Sequence, residues 1–190
     1  MEALTDIVKA WSEGVAADYE SGSVVSERSL QASLYFHVRR LAGNLTVYVE
    51  PKVLYEGNSP SRIPDLVVSN NGQAVAMIEV KFFPWWHPRS KDIAADIDRL
   101  NQLKSLPSHK RLNLAIDPRT GDFVNQEEVH NNAIYVFGIV GKDVRSALEQ
   151  YNPWTYGSED LRPFLHVLFG DVSEIYETGM KFGHIRPDAP

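Results

Sequence analysis

The 190-residue chain has no cysteine. This excludes disulfides, thiolate metal sites and thiol nucleophiles, and it fits a reducing, cytoplasmic setting. Long apolar runs are missing as well: none approaches the ~20 residues that cross a bilayer, so no membrane partner is expected. The start, "MEALTDIVKAWSEG", carries acids where a secretory leader carries basic residues. An excess of positive charge is also lacking, the formal net charge being −6. A protein that grips nucleic acid through its own surface usually shows a basic footprint. Any such role here needs a local basic groove, bridging metal ions or a partner. The six histidines, at 37, 87, 109, 130, 166 and 184, show no metal-ligand spacing. "GIVGKD" at 138–143 lacks the phosphate-loop pattern, and no Gly-x-Ser-x-Gly nucleophile elbow occurs.

What remains is an ordinary globular composition, 43% hydrophobic and 23% charged, at a length that fits one domain with a substantial core. Leu4, Ile7, Val8, Trp11 and Val15 predict a helix over 3–19. Ser26 is a good N-cap for a second helix with the stripe Leu30, Leu34, Val38 and Leu41, closing at Gly43. "LTVYVEPKVLY" reads as a strand over 45–55 with a bulge or edge at Pro51. Two strands follow at 63–69 and 74–82, then the aromatic loop "FFPWWHPRS". Ile93, Ile97, Leu100 and Leu103 give a helix over 90–106, ended by Pro107. Buried strands are expected at 112–116, 133–140 and 163–170, with a helix over 142–151. The stretch 117–132 reads as turn-rich, and the tail from Gly179 as poorly ordered. The order α-α-β-β-β-α-β-β-α-β implies an α/β fold, a mixed sheet flanked by helices.

The informative stretch is "RIPDLVVSNNGQAVAMIEVKF", residues 62–82. Asp65, Glu79 and Lys81 interrupt strands that are otherwise oily. Alternation puts Glu79 and Lys81 on one face with Val75 and Met77, while Ala76, Ile78 and Val80 form an apolar face. Whether Asp65 joins them depends on the turn. A two-residue Asn71-Gly72 turn sends the acids to opposite sides. A three-residue loop, Asn70-Asn71-Gly72, or another odd or bulged connection, brings them to one side as diagonal neighbours roughly 7–8 Å apart. The three-residue form, or another odd-length or bulged connection, is the expectation. Two adjacent buried carboxylates repel, and a divalent cation relieves both burial and repulsion. Oxygen ligands without Cys or nearby His favour Mg²⁺ or Mn²⁺. With Lys81 to stabilise developing charge, the set suits phosphodiester hydrolysis. The bland reading is a surface ion pair at a strand end.

"IPDLVV" followed by "AMIEVK" resembles the PD-(D/E)XK nuclease superfamily. The resemblance implies a restriction-endonuclease-like αβββαβ core, here matched to 26–117 of a single 1–190 domain. Residues 1–22 then form an N-terminal helix, 118–178 a β-α-β extension of the sheet, and 179–190 a tail. It implies a metal-dependent deoxyribonuclease using Mg²⁺ or Mn²⁺, with Asp65, Glu79 and the Val80 carbonyl as ligands and Lys81 as catalytic lysine. Many members add an acid from the first core helix, the place of Glu27; an acid there also simply favours the helix dipole.

Around that site, Gln31, Trp85, Trp86, His87, Arg89 and Lys91 are the expected contacts to nucleic acid, by stacking and phosphate binding. Adjacent tryptophans also pack over core edges or fill interfaces, which fits a homodimer or a larger assembly. The rival function is an inactive nuclease-fold scaffold in a nucleic-acid-processing or phage-defence complex.

Overall fold

Serines 26 and 29 start the helix on which much of the site depends. Ser29 N–H donates to Ser26 Oγ (3.2 Å) and Ser26 N–H returns a bond to Ser29 Oγ (2.9 Å), a reciprocal cap with serine in place of the usual glutamate. Helix α3, Glu27–Leu41, follows directly, with Leu30, Leu34 and Val38 buried as the spacing predicts. Before it, α1 (Glu2–Lys9), a π-helical segment (Ala10–Val15) and α2 (Ala16–Glu20) form one helical run. The structure, a computed structural model, describes residues 2–41, 43–51, 64–83, 88–105, 111–120, 122–172 and 181–186.

The strands are β1 (Leu45–Val49), β2 (Leu66–Asn70), β3 (Gln73–Phe83), β4 (Arg111–Ile116), β5 (Phe123–Gly141), β6 (Leu165–Asp171) and β7 (Lys181–Ile185). They form one seven-stranded sheet in the order β1-β2-β3-β5-β6-β7, with β4 attached to β5. The pairs β3/β5 and β5/β6 are parallel and the others antiparallel, so the sheet is mixed. Helices α4 (Ser90–Lys104) and α5 (Val144–Tyr151) make the crossovers that parallel neighbours require. One face buries Ala76, Ile78 and Val80 under the N-terminal helices and α3. The other buries Val67, Met77, Tyr135 and Phe137 with Ile93, Ile97 and Leu100 of α4. The expected α/β architecture with a mixed, helix-flanked sheet is therefore present.

Several expectations need correction. The stretch 123–132 is not turn-rich but the first half of the 19-residue β5, and among the described residues of the expected stretch only 118–120 turn. Asn, Gln, Glu and His disguised it: this half lies at the sheet margin, where the β4 pairing Leu112↔Glu127 decides its conformation and propensity does not. The strand beside β3 is consequently β5, whereas among the described strands 112–116 pairs only with β5. Within the tail expected from Gly179, Lys181–Ile185 is a strand paired along β6, and 179–180 and 187–190 lie outside the described residues. The expected strand over 45–55 ends at Val49, where Glu50 takes a left-handed φ of 44° just before Pro51. Residues 52–63 lie outside those described.

The turn at the centre of the sidedness argument is also corrected. Asn71 (φ 50°) and Gly72 (φ 78°) form a two-residue turn flanked by the pair Asn70↔Gln73. Both central residues are left-handed, the geometry that Asn-Gly favours in hairpins. The odd residue enters further on. Ser69 pairs with Ala74 but Val68 with Ala76, so Val75 bulges out of the ladder. The bulge restores what the three-residue loop was expected to do. Leu66 faces Ile78, and the register carried one residue further sets Asp65 across from Glu79.

The back of the site is tightly packed. Trp11 is fully buried and its Nε1–H donates to the Phe169 carbonyl at 2.9 Å. Its ring lies on Gly138 of β5, where an added Cβ would stand 3.0 Å from Trp11 Cζ3 and 3.2 Å from Val80 Cγ1. Gly138→Ala is expected to destabilise the fold by about 1–3 kcal/mol, as overpacking does, seen as a lower urea midpoint at unchanged slope.

Candidate active site

Asp65 follows Pro64 at the mouth of β2, and its main-chain carbonyl accepts from Glu50 N–H at 2.9 Å. Its carboxylate is held on both oxygens: Gln31 Nε2 donates to Oδ1 at 2.6 Å and Val80 N–H to Oδ2 at 2.6 Å. Gln31 reaches it because α3 overhangs this end of the sheet and places residues 27 and 31 one turn apart. Gln31 is therefore buried against Asp65 and does not face outward to nucleic acid as expected.

Glu79 is 1% exposed. Its Oε2 accepts from Arg99 Nη1 at 3.1 Å, while Oε1 is buried with no partner. Lys81, two residues on along the same face, projects between Glu27 (Nζ to Oε2, 3.4 Å) and Asp96 (Nζ to Oδ2, 3.5 Å). Asp96 is wholly buried, and its Oδ1 is paired with Arg99 Nη2. Two strands, the start of α3 and the middle of α4 thus converge on one group of charges.

Asp96 and Arg99 were missed in the sequence, although a signal existed. Asp96 lies in the apolar stripe of α4, three residues after Ile93 and beside Ile97, where a lone acid must be buried. Arg99 follows at the i+3 position that faces it. Of the other expected site residues, Asp65, Glu79, Lys81 and Glu27 are brought together. Glu27 is turned to Lys81, with no bond to Asp65 or Glu79. The main-chain N–H of Val80 serves Asp65, while its side chain packs in the core of the α3 face. Arg89 is exposed and bidentate to Asp92 at 2.8 and 3.3 Å, and Lys91 is exposed. Trp85, Trp86 and His87 lie outside the described residues.

The charges do not balance. Among the described residues, Glu27, Asp65, Glu79 and Asp96 face only Lys81 and Arg99, which leaves two negative charges over. Protonation shows where the excess sits. Burial, with the field of Asp65 added, pushes Glu79 up from 4.5 to about 9 against the pull of Arg99. Burial likewise pushes Asp65 up from 3.8 to about 6, although the Val80 N–H opposes it. Burial raises Asp96 too, against the opposing pull of Lys81 and Arg99. For Lys81, burial alone would lower the ammonium; the carboxylates of Asp96 and Glu27 outweigh it, and its pKa is raised. At neutral pH the site holds a firm ammonium beside a Glu79 carboxyl that retains its proton.

No family model, curated protein or solved structure matches the chain. The functional reading therefore rests on this geometry. Among the described residues no three histidines or acids stand together as a ready-made metal cage. The physical reason is visible: Arg99 and Lys81 stand between the acids, and each of the two cations touches two carboxylates. Two features nonetheless suit a hard divalent cation. With all four carboxyls ionised the surplus is two negative charges, and the free Oε1 of Glu79 is an unpartnered oxygen in the same buried group.

Proposed function

We propose that this protein is a metal-dependent nuclease of the PD-(D/E)XK kind, hydrolysing phosphodiester bonds in DNA. The observation that carries the reading is the uncompensated charge. Burying unpaired carboxylates is costly, and this group, when fully ionised, leaves two negative charges and an orphaned carboxylate oxygen. Strongly perturbed acids cluster at functional sites. The order helix, three strands, helix, strand in α3, β1, β2, β3, α4 and β5 supports a restriction-endonuclease-like core, with β4 and the first half of β5 as a hairpin inserted before the last core strand.

Asp65 and Glu79 would hold Mg²⁺ or Mn²⁺, with the Val80 carbonyl nearby on the same strand. When bound, the ion supplies charge neutralisation and Lewis-acid polarisation of a phosphodiester and the water that attacks it. The chain's own residues supply the remainder. Gln31 and the Val80 N–H fix the plane of Asp65. Lys81 keeps its proton and faces the charge that develops on the phosphorus oxygens, while Glu27 and Asp96 hold its Nζ in place. With a net charge of −6, the chain is expected to cut through backbone contacts and metal bridges, without sequence readout of its own.

Purified protein is expected to nick supercoiled plasmid in Mg²⁺, to stop on chelation, and to be inert as Asp65→Ala. A second reading, an inactive scaffold on the same fold, is favoured by one observation: Arg99 already engages Glu79. Wild type as inert as Asp65→Ala across several DNA and RNA forms would establish it.

A further inference from the structure

We propose that Arg99 is a positioning residue that turns the free oxygen of Glu79 toward a bound divalent cation, acting from α4 with Asp96 as its anchor. This rests on the nuclease reading above, and it goes beyond the acid-acid-lysine set that the sequence resemblance implied.

Glu79 is buried, and Arg99 Nη1 is the one donor that its carboxylate has among the described residues. Held at Oε2 by this one donor, the carboxylate has Oε1 left over. Arg99 is itself fixed: its second nitrogen pairs with Asp96, which is fully buried three residues earlier on the same helix. The guanidinium therefore bridges two carboxylates with the two arms of a rigid fork, which an ammonium cannot reproduce. Charge also favours an Arg99 that stays. With it in place, two cations and a divalent ion balance the four carboxylates of the group, and its departure would leave one negative charge uncompensated.

Two mechanisms predict opposite results. If Arg99 merely fills the place of the ion, deleting it removes a competing cation and metal binds more tightly. If Arg99 orients Glu79, deleting it frees a buried carboxylate to turn away, and metal binds more weakly. Loss of a partner that orients a metal ligand typically weakens metal affinity about 10–100-fold.

The test is Mn²⁺ titration followed by the paramagnetic resonance signal of free Mn²⁺, with calorimetry in parallel, on wild type, Arg99→Lys and Arg99→Ala. A far-ultraviolet melt checks that each variant is folded. The expected order is wild type tightest, Arg99→Lys weaker by up to about 10-fold, and Arg99→Ala weakest, toward 100-fold. If Arg99→Ala does not fold, Arg99→Lys carries the test, and weaker binding is still expected. Equal or tighter binding by the variant, with wild type binding normally, overturns the inference alone. No Mn²⁺ uptake by wild type overturns the nuclease reading and this inference with it.

Discussion

Without divalent metal, the protein is expected to melt at lower temperature as pH rises toward 9, and Glu79→Gln to remove most of that dependence. The sign follows from linkage. Glu79 titrates at 4.5 when unfolded and at about 9 in the folded chain, where burial and the charge of Asp65 hold its proton. Between those values the folded state binds a proton that the unfolded state has released, so stability falls as pH rises. Each pH unit in the window is worth about 1.4 kcal/mol at full effect. Asp65 adds the same slope between 3.8 and about 6, and Asp96 acts in the same direction. The raised pKa of Lys81 contributes stability that is lost only on the far alkaline side, above the ordinary lysine value of 10.5. Glutamine keeps the shape of Glu79 and has no proton to lose. Glu79→Gln should therefore be more stable than wild type at pH 8–9 in chelator, the usual relation between functional charge and stability. Circular-dichroism melts across pH decide it. A flat wild-type profile would mean that Glu79 is ionised and fully compensated by Arg99, and the charge-deficit argument would fail.

Adding Mg²⁺ at pH 8 should reverse the loss. At a hundredfold excess over the dissociation constant, binding stabilises by about 2.7 kcal/mol, which raises the melting temperature by several degrees for a chain of this size. The same addition near pH 5 should do much less, because protons then hold the carboxyls that the metal needs.

How much of this could be read from the sequence depends on how local the cause is. The helix over 27–41 was legible because Ser26 and the leucine stripe are short-range signals, and the serine cap is present as hydrogen bonds. Asp65, Glu79 and Lys81 were legible because charge inside an apolar strand has few explanations. The turn was not. Asn-Gly states the two-residue form plainly, yet sidedness depended on a bulge at Val75, and nothing in "QAVAM" marks it. The first half of β5 was hidden for a similar reason. Its Asn, Gln, Glu and His residues disfavour strands, and non-local pairing with β4, and with β3 at Glu128 and Val129, makes it one. Arg99 was the hardest to find, since an arginine on a helix is ordinarily solvated; its role appears only once α4 is docked over β3.

Lys81→Ala is expected to slow DNA cleavage by about 10²–10³-fold, the usual cost of removing one preorganised donor from developing charge, while leaving metal binding at least as tight as in wild type. The split follows from what Lys81 touches. Its Nζ is held by Glu27 and Asp96, not by the two acids assigned to the metal, so its loss frees no ligand to turn away. It also removes a cation from a group already short of positive charge, which favours another cation. Asp65→Ala differs on both counts. It deletes the oxygens aimed by Gln31 and the Val80 N–H, and both cleavage and Mn²⁺ uptake should disappear. Single-turnover cleavage beside Mn²⁺ titration of the same preparations separates the two variants. Lys81→Ala that loses metal along with activity would make the lysine part of the metal-binding framework, and its assignment as the group that meets developing charge would not stand.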